Sequence, residues 1–219
     1  MISRRVLLLG AALTGAAVAQ QAPNPAYREV KDKPELPRVL LIGDSISIGY
    51  TNAVQDLLQG VANVHRIPEN GGPTTRGVER IDAWLGDGKW DLIHFNWGLH
   101  DLKYMEDGGR QVEPDQYETN LRRLVARLQS TGAKLIWAAT TPVPQAKLSP
   151  PRKDSDVLTY NRIAARVMQS EGIATDDLYA FALPRLGEIQ RDANVHFTPQ
   201  GSKALGEQVA GEIRKALKR

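Results

Sequence analysis

Short apolar runs alternate along the chain with longer stretches that have apolar residues at helical spacing, and this alternation constrains the fold most. The apolar runs 38–42, 64–67, 91–97 and 134–139 have the length of buried strands. The stretch 114–128 is the clearest helix, because its apolar residues form one stripe. Strands separated by such helices predict an α/β fold, in which helices cover both faces of a parallel sheet.

The same spacing argument predicts the remaining elements. A short extended piece is expected over 173–178, and a loop rich in Pro and Lys over 144–154. Thr198 is a typical N-cap and Pro199 a typical first helical residue, so a helix begins there. The further helices are predicted over 50–58, 78–85, 156–170 and 199–217.

The first 37 residues differ in composition from the rest. Residues 1–19 combine Arg4 and Arg5, a short apolar segment and an Ala-Val-Ala cleavage signature, which predicts a signal peptide and permits the twin-arginine route. Residues 20–37 are rich in Pro and Gln and are interpreted as an N-terminal spacer, which leaves one domain over 38–219. The protein is therefore expected to be periplasmic or secreted, with no stable membrane association after cleavage. An uncleaved anchor and a disordered N-terminus are the alternatives.

Composition excludes several classes of function. The chain has no Cys, and hence no disulfide framework, thiol nucleophile or Cys-ligated zinc site. Its formal charge of +3 falls to +1 without Arg4 and Arg5, which is too little for a nucleic-acid surface. No glycine-rich phosphate loop follows the first strand, so no nucleotide cofactor is expected. Asp44, His100 and Asp101 lack the spacing of a zinc site, and no metal is predicted.

Polar residues follow each of the four predicted strands. In a parallel α/β sheet the carboxyl ends of the strands form one edge, where binding sites are found. The polar segments at this edge are 43–45, 70–74, 98–101 and 140–142, and a fifth, 192–196, precedes the last helix. We therefore expect segments that are far apart in sequence to converge on one site.

Ser45 and His196 carry the most specific chemistry at this edge. Ser45 follows a strand and precedes a helix, a position that suits either a nucleophile or a simple helix cap. A serine nucleophile needs a base, and imidazole is the usual one. His65 and His94 lie inside predicted strands and are interpreted as structural, which leaves His100 and His196 at the edge.

Three of these segments resemble the sequence blocks of the SGNH/GDSL hydrolase family. Residues 41–47 (LIGDSIS) resemble its first block, 70–75 (NGGPTT) its second and 195–201 (VHFTPQG) its last. The order and spacing of the blocks also agree, and the similarity extends over about residues 38–213. The resemblance implies a flavodoxin-like three-layer sandwich.

The resemblance also implies roles for individual residues. Ser45 corresponds to the nucleophile and His196 to the general base. The backbone N–H groups of Ser45 and Gly72 correspond to donors of the oxyanion hole, with Gly71 as the nearby alternative to Gly72.

The third block departs from the family pattern. The family has Gly-x-Asn-Asp, whose Asn donates to the oxyanion, whereas this chain has Gly98, Leu99, His100 and Asp101. An imidazole N–H is able to donate in place of the Asn. A protonated His100 would make the rate fall at high pH, and a packing role is the alternative.

The acid of the triad is also displaced. The family has Asp three residues before the His, where this chain has Ala193. Asp192 is the candidate acid if the loop carries one extra residue, and Asn194 or a backbone carbonyl is the alternative that orients the ring of His196.

The resemblance implies a secreted, metal-independent serine esterase for short acyl groups, with O-acetyl on carbohydrate as the specific expectation. Asp44, Trp97 and Asp101 are candidate substrate-binding residues. Trp97 is one because an indole stacks on a sugar face, with a core position as its alternative. A weak or inactive glycan-binding protein of the same fold is the first alternative function, and a lysophospholipase or thioesterase is the second.

Overall fold

The computed structural model describes residues 24–218, so the predicted signal peptide lies outside the described residues. Five parallel strands form one sheet in the order β2–β1–β3–β4–β5. The strands are β1 (Arg38–Ile42), β2 (Asn63–Arg66), β3 (Leu92–Phe95), β4 (Lys134–Ala138) and β5 (Ala174–Asp176). The chain passes from β1 to β2 on one side and returns to β3 on the other, so the strand order reverses beside β1, where sites form in such sheets.

Helices cover both faces of the sheet. On one face α1 (Ser45–Leu57) packs against α7 (Pro199–Leu217). On the other face α3 (Pro114–Gln129) packs between α2 (Thr74–Leu85) and α4 (Asp154–Ser170). Right-handed crossovers that run in opposite directions from β1 and β2 place these helices on opposite faces. The result is the predicted three-layer α/β sandwich.

Short elements complete the described chain. Two 3-10 turns lie at Pro25–Tyr27 and Leu183–Arg185, and two short helices, α5 (Leu178–Ala182) and α6 (Leu186–Ile189), lie between β5 and α7. The helical spacing did not reveal α5 and α6 because five and four residues are too few to show a period.

The three inner strands β1, β3 and β4 are largely buried on both faces, which explains their almost continuous apolar composition. All four residues of β3 are buried, and so are four of the five in β1. His94 of β3 is the polar exception. Its Nε2 lies 3.1 Å from Asp176 Oδ2, so the buried imidazole has a partner within the sheet. This contact agrees with the structural role expected of His94.

The predicted and observed boundaries differ most at the starts of α1 and α2. The sequence predicts starts at 50 and 78, whereas these helices begin at Ser45 and Thr74. The first turn of α2 is made of small and polar residues, so its apolar stripe begins a turn later than the helix. In α1, Ile46 already belongs to the buried stripe, but the small residues Ser45, Ser47 and Gly49 around it obscure the helical period. The early starts place Ser45 and Thr74 directly at the edge where the strands end.

The described part of the predicted spacer lies against the domain. Ala26 is buried, and the turn that contains it packs on α1. The Lys33 backbone N–H donates to Asn63 Oδ1 at 2.9 Å, and Arg38 forms an ion pair with Asp32 at 2.7 Å. Residues 24–37 thus contact the domain at several points, although most of their side chains are exposed. Within 24–218, no helix combines the length and apolar character needed to cross a membrane.

Candidate active site

Ser45 lies at the junction of β1 and α1. The Asp44 carboxylate caps α1 by accepting a backbone N–H of the first turn at 2.9 Å. Arg66, the last residue of the neighbouring β2, donates to Gly43 O at 2.9 Å and to Ser47 Oγ at 2.8 Å. Bonds from within the helix and from an adjacent strand therefore hold the backbone that carries Ser45. No pattern in the sequence predicts this role for Arg66.

His196 lies in the loop before α7 and reaches Ser45. Its Nε2 is 2.9 Å from Ser45 Oγ, and its Nδ1 is 2.7 Å from Asn194 Oδ1. Because an amide oxygen only accepts, Nδ1 carries the proton and Nε2 accepts from the Ser45 hydroxyl. The Asn194 oxygen also accepts the backbone N–H of His196 at 2.9 Å, which fixes the orientation of the amide. The pair therefore has the geometry of a nucleophile with its base.

Asn194, and not Asp192, occupies the position beside the His196 ring. Asp192 is exposed and makes no hydrogen bond to His196 in the described part of the chain. Ala193 between them has a φ of 46°, in the left-handed region, at the turn that brings Asn194 back to the ring. The candidate acid is thus corrected to a neutral amide, which holds the tautomer but adds no charge to stabilise an imidazolium.

Burial keeps His196 in its basic form. Desolvation is the largest cause that lowers the pKa of His196, and the positive charges of Arg191 and Arg152 lower it further. The Asp44 carboxylate acts in the opposite direction and raises this pKa. His196 is therefore in its unprotonated, basic form at neutral pH.

Gly98 and Asp101 hold the segment that carries His100. Gly98 has a φ of 149°, and a Cβ at this position would lie 2.4 Å from Thr140 Oγ1, so glycine is required. Asp101 is buried, and its Oδ1 accepts from the N–H of Thr74 at 2.8 Å and from its hydroxyl at 2.5 Å. These contacts tie the third block to the start of α2.

His100 lines the same cavity as Ser45 and His196. Burial is the largest cause that lowers the pKa of His100, Asp44 raises it, and nearby cations including Arg152 lower it. A neutral imidazole has one N–H to donate, and the His100 ring has no hydrogen-bond partner among residues 24–218. His100 is therefore a free neutral donor. The fall in rate at high pH that a protonated His100 would cause is not expected from this geometry.

The second block offers a different donor from the one expected. Gly72 N–H donates to Asn70 Oδ1 at 2.9 Å, and Gly71 N–H donates to Gly43 O at 3.0 Å. Both glycine N–H groups are therefore engaged, which corrects the oxyanion role expected for Gly72. Asn70 lines the cavity, and because its Oδ1 is held by Gly72, its Nδ2 is the donor left without a partner in the described chain. No pattern in the sequence pointed to Asn70 as a donor, although it begins the second block.

A cavity of about 360 Å³ opens beside the Ser45–His196 pair. The loop between β4 and α4 forms one wall of this cavity with Leu148, Pro150 and Arg152. Arg152 Nε donates to Leu99 O at 2.8 Å, which links the loop to the third block. The loop over 144–154, for which the sequence indicated no role, therefore shapes the site.

The three candidate substrate-binding residues do not line this cavity. Trp97 is a core residue, packed so closely on Gly77 that a Cβ there would lie 2.8 Å from the indole. Asp101 is the buried clamp on α2, and Asp44 is the buried cap of α1. The expectation that these side chains contact substrate is therefore corrected, because each is buried. Asp44 still acts on the site through its charge, which raises the pKa of the cavity histidines.

A three-layer α/β sandwich that presents a serine hydroxyl to a neutral imidazole at the carboxyl edge of its sheet defines a serine hydrolase. Within 24–218, no three His, Asp or Glu side chains are grouped so that they are able to hold a metal ion. The chain matches the GDSL-like lipase/acylhydrolase family over residues 41–204, and it belongs to this family. Members of the family hydrolyse esters, so the protein is a serine hydrolase that acts on ester bonds.

Several solved structures share this fold. A lipase/acylhydrolase from Enterococcus faecalis superimposes with a TM-score of 0.71 and 22% identity, covering 82% of this chain and 96% of its own. An acetyl xylan esterase superimposes with a TM-score of 0.69 and 17% identity, covering 80% of this chain and 99% of its own. An acetylxylan esterase from Geobacillus stearothermophilus superimposes with a TM-score of 0.65 and 20% identity, covering 81% of this chain and 94% of its own. No curated protein gives a significant match. At these identities the similarity establishes the fold.

Proposed function

We propose that the protein is a secreted serine esterase for short-chain acyl esters, with O-acetyl groups on carbohydrate as its substrates. The observation that carries the proposal is the 2.9 Å contact between Ser45 Oγ and His196 Nε2, with Asn194 on the opposite ring nitrogen. The two similar structures described as acetyl xylan esterases support the acetyl group and the carbohydrate. The cavity of about 360 Å³ lies at the small end of ligand pockets, which suits a short acyl group.

The first half of the reaction forms an acyl-enzyme. Ser45 Oγ attacks the ester carbonyl carbon while His196 Nε2 takes the hydroxyl proton. The imidazolium keeps its Nδ1–H bonded to Asn194 and gives the Nε2 proton to the leaving alkoxide, which departs as the alcohol. Water, activated by the same imidazole, then attacks the acyl-enzyme and releases the acid, which restores Ser45.

Three donors are available to the oxyanion that forms in each half. The backbone N–H of Ser45 lies in the first turn of α1, where N–H groups have no partner within the helix. The His100 ring and the Asn70 side chain line the same cavity. Donors that are in place before the reaction stabilise developing charge without reorganisation, which is why such groups account for much of the rate.

The direct test measures acetate release from acetylated xylo-oligosaccharide and hydrolysis of p-nitrophenyl acetate. Wild-type protein is compared with Ser45→Ala and with Ser155→Ala, an exposed serine on α4 that serves as the matched control. We expect Ser45→Ala to lose both activities and Ser155→Ala to retain them. Equal rates for wild type and Ser45→Ala would refute the esterase and favour a glycan-binding protein of the same fold.

A longer acyl chain is the second candidate, favoured by a groove along α1 and α7. A cavity of about 250 Å³ borders Ser45 and His196, and it shares Gly49 and Phe197 with a more apolar cavity of about 590 Å³. A lysophospholipase or thioesterase would place its acyl chain there. A series of p-nitrophenyl esters from acetate to laurate separates the two: kcat/KM falls with length for the proposed enzyme and rises for the second candidate.

Export to the periplasm or the exterior is part of the proposal and rests on residues 1–19. The expected mature protein begins at Gln20, after the Ala-Val-Ala signature. Mass spectrometry of the N-terminal peptide from periplasmic and culture fractions tests this. An intact N-terminus found in the cytoplasmic fraction alone would contradict export.

A further inference from the structure

Arg152 is a charged residue of the cavity that the reaction does not use. It lies at the end of the loop between β4 and α4, on the wall that also contains Leu148 and Pro150. Its Nε donates to Leu99 O at 2.8 Å and its Nη1 to Pro150 O at 3.3 Å. Two carbonyl oxygens thus hold the guanidinium in place, while Nη2 and one proton of Nη1 have no protein acceptor among the described residues.

The charge of Arg152 has no ion-pair partner among the described residues, although the Asp44 carboxylate acts to raise its pKa. Two other partly buried arginines pair with carboxylates, Arg38 with Asp32 at 2.7 Å and Arg110 with Asp156 at 2.6 Å. Arg66 has no carboxylate partner in the described chain and bonds instead to Ser47 Oγ and to backbone oxygens. Within residues 24–218, no carboxylate lies within ion-pair distance of Arg152, although burial is sufficient to lower its pKa. Burying an unpaired charge costs free energy, which a bound anion would offset.

The guanidinium is also close to the reacting groups. It lines the same cavity as Ser45, His100 and His196, and its charge contributes to the lowered pKa of both histidines. No carboxylate is among the described residues that line this cavity. An anionic group in the cavity would therefore meet the cation of Arg152 at the wall, while the buried Asp44 carboxylate, whose charge also reaches Arg152, does not line the cavity.

We infer that Arg152 forms an anion subsite next to the nucleophile, so that the preferred substrate is an ester whose carrier bears a carboxylate or sulfate near the acyl group. In taking an ester as the occupant, this inference rests on the proposed function. The free Nη2 and Nη1 protons bind the two oxygens of such a group as a fork, an arrangement that guanidinium supports and ammonium does not. The natural carrier is then an acidic sugar.

The kinetic test uses substrates that differ only in charge: an O-acetylated hexuronic acid and its uronamide. We expect wild-type protein to favour the acid by about tenfold or more in kcat/KM, and Arg152→Gln to bring this ratio close to one. Arg152→Lys keeps the charge without the fork and should retain part of the preference. Lys147→Gln, an exposed change of the same charge in the same loop, is the matched control and should leave the ratio unchanged.

A ratio is informative because a purely structural effect on the Leu99 contact would lower both rates together and leave the preference intact. A wild-type ratio near one, or an unchanged ratio in Arg152→Gln, would overturn the inference. A sulfated sugar acetate and its unsulfated counterpart form a second pair. The pair with the larger Arg152-dependent ratio identifies the anion.

A binding measurement separates this inference from the proposed function. Calorimetric titration of Ser45→Ala protein with the same acid and amide requires no turnover. Tighter binding of the acid by about tenfold, lost in the Ser45→Ala, Arg152→Gln double variant, supports the subsite even if wild-type protein hydrolyses neither compound. Equal affinity for acid and amide would refute the subsite and leave the esterase proposal standing.

Discussion

Two histidines face the same cavity, and the protein holds them in opposite ways. His196 has a partner on each ring nitrogen, Ser45 on one side and Asn194 on the other, whereas no described residue bonds to the ring of His100. A base must present one defined nitrogen to its nucleophile, so its tautomer is fixed. A donor that meets only the substrate can place its proton on whichever nitrogen faces the oxyanion. In the proposed mechanism, proton transfer therefore belongs to His196 and charge stabilisation to His100.

The largest effect on the rate is expected when the base, His196, is removed. His196→Ala removes the acceptor for the Ser45 proton, and we expect kcat/KM for p-nitrophenyl acetate to fall by about 10⁴-fold or more, as for Ser45→Ala. The double variant should be no worse than either single one, because the two residues act as a unit. A fall of less than tenfold in steady-state assays of His196→Ala would show that another group is the base.

Removing His100 should lower the rate less than removing His196. We expect His100→Ala to lower kcat by about 10²- to 10³-fold, the effect of losing one oxyanion donor. His100→Asn keeps a donor of the type that the family pattern has at this position and should recover much of the rate. If His100→Ala and His100→Asn were equally impaired in the same assay, His100 would not act as a donor.

Asn194, the neutral partner of His196, should contribute less to the rate than His100. Asn194→Ala frees the ring, and we expect kcat/KM to fall by roughly ten- to a hundredfold. Asn194→Asp adds a negative charge beside the imidazole, so it should raise the pKa of His196 and move the acidic limb of the rate profile to higher pH. Asp192→Asn is the control and should leave the pH–rate profile unchanged, since Asp192 is exposed. A large loss in Asp192→Asn alone would restore Asp192 as the acid.

The smallest effect concerns the support of the His100 segment. Burial raises the pKa of Asp101 to about 7, well above its value in an unfolded chain. Because the pKa of Asp101 is higher in the folded protein than in the unfolded chain, its contribution to folding stability is complete at acidic pH. This contribution is lost as pH rises through about 7. We expect the free energy of unfolding to fall by up to about 4 kcal/mol as pH rises from about 4 to about 7.

Urea unfolding of wild type and Asp101→Asn at several pH values tests this. The variant cannot ionise, so the part of the pH dependence due to Asp101 should disappear, while activity stays close to wild type. A parallel pH dependence in both proteins would show that Asp101 does not titrate in this range.

The sequence was sufficient for the fold and for the reacting pair. The inner strands are largely buried on both faces, so their apolar runs were visible in the sequence. Ser45 and His196 each carry chemistry that few other residues supply. The orientation of His196 was harder to predict. Asp192 and Asn194 are two residues apart, and which one faces the ring depends on the left-handed turn at Ala193, which no side-chain pattern announces.

The residues that surround the substrate were mostly missed, for a physical reason. Asp44, Trp97 and Asp101 stand beside motif residues in the sequence, but burial turns them toward the protein. Asn70 and Arg152 reach the cavity through a hydrogen bond to Gly72 and through the course of a Pro-rich loop. Neither the bond nor the loop path has a periodic signature.

The most direct test of the account is the rate at which a fluorophosphonate labels Ser45, measured by mass spectrometry as a function of pH. We predict that labelling of wild-type protein follows a single ionisation with a pKa below 6.5, the ordinary value for His, and that labelling is absent in Ser45→Ala and slowed by orders of magnitude in His196→Ala. Labelling of His196→Ala at the wild-type rate, or of Ser45→Ala at all, would contradict a proton-sharing Ser45–His196 pair.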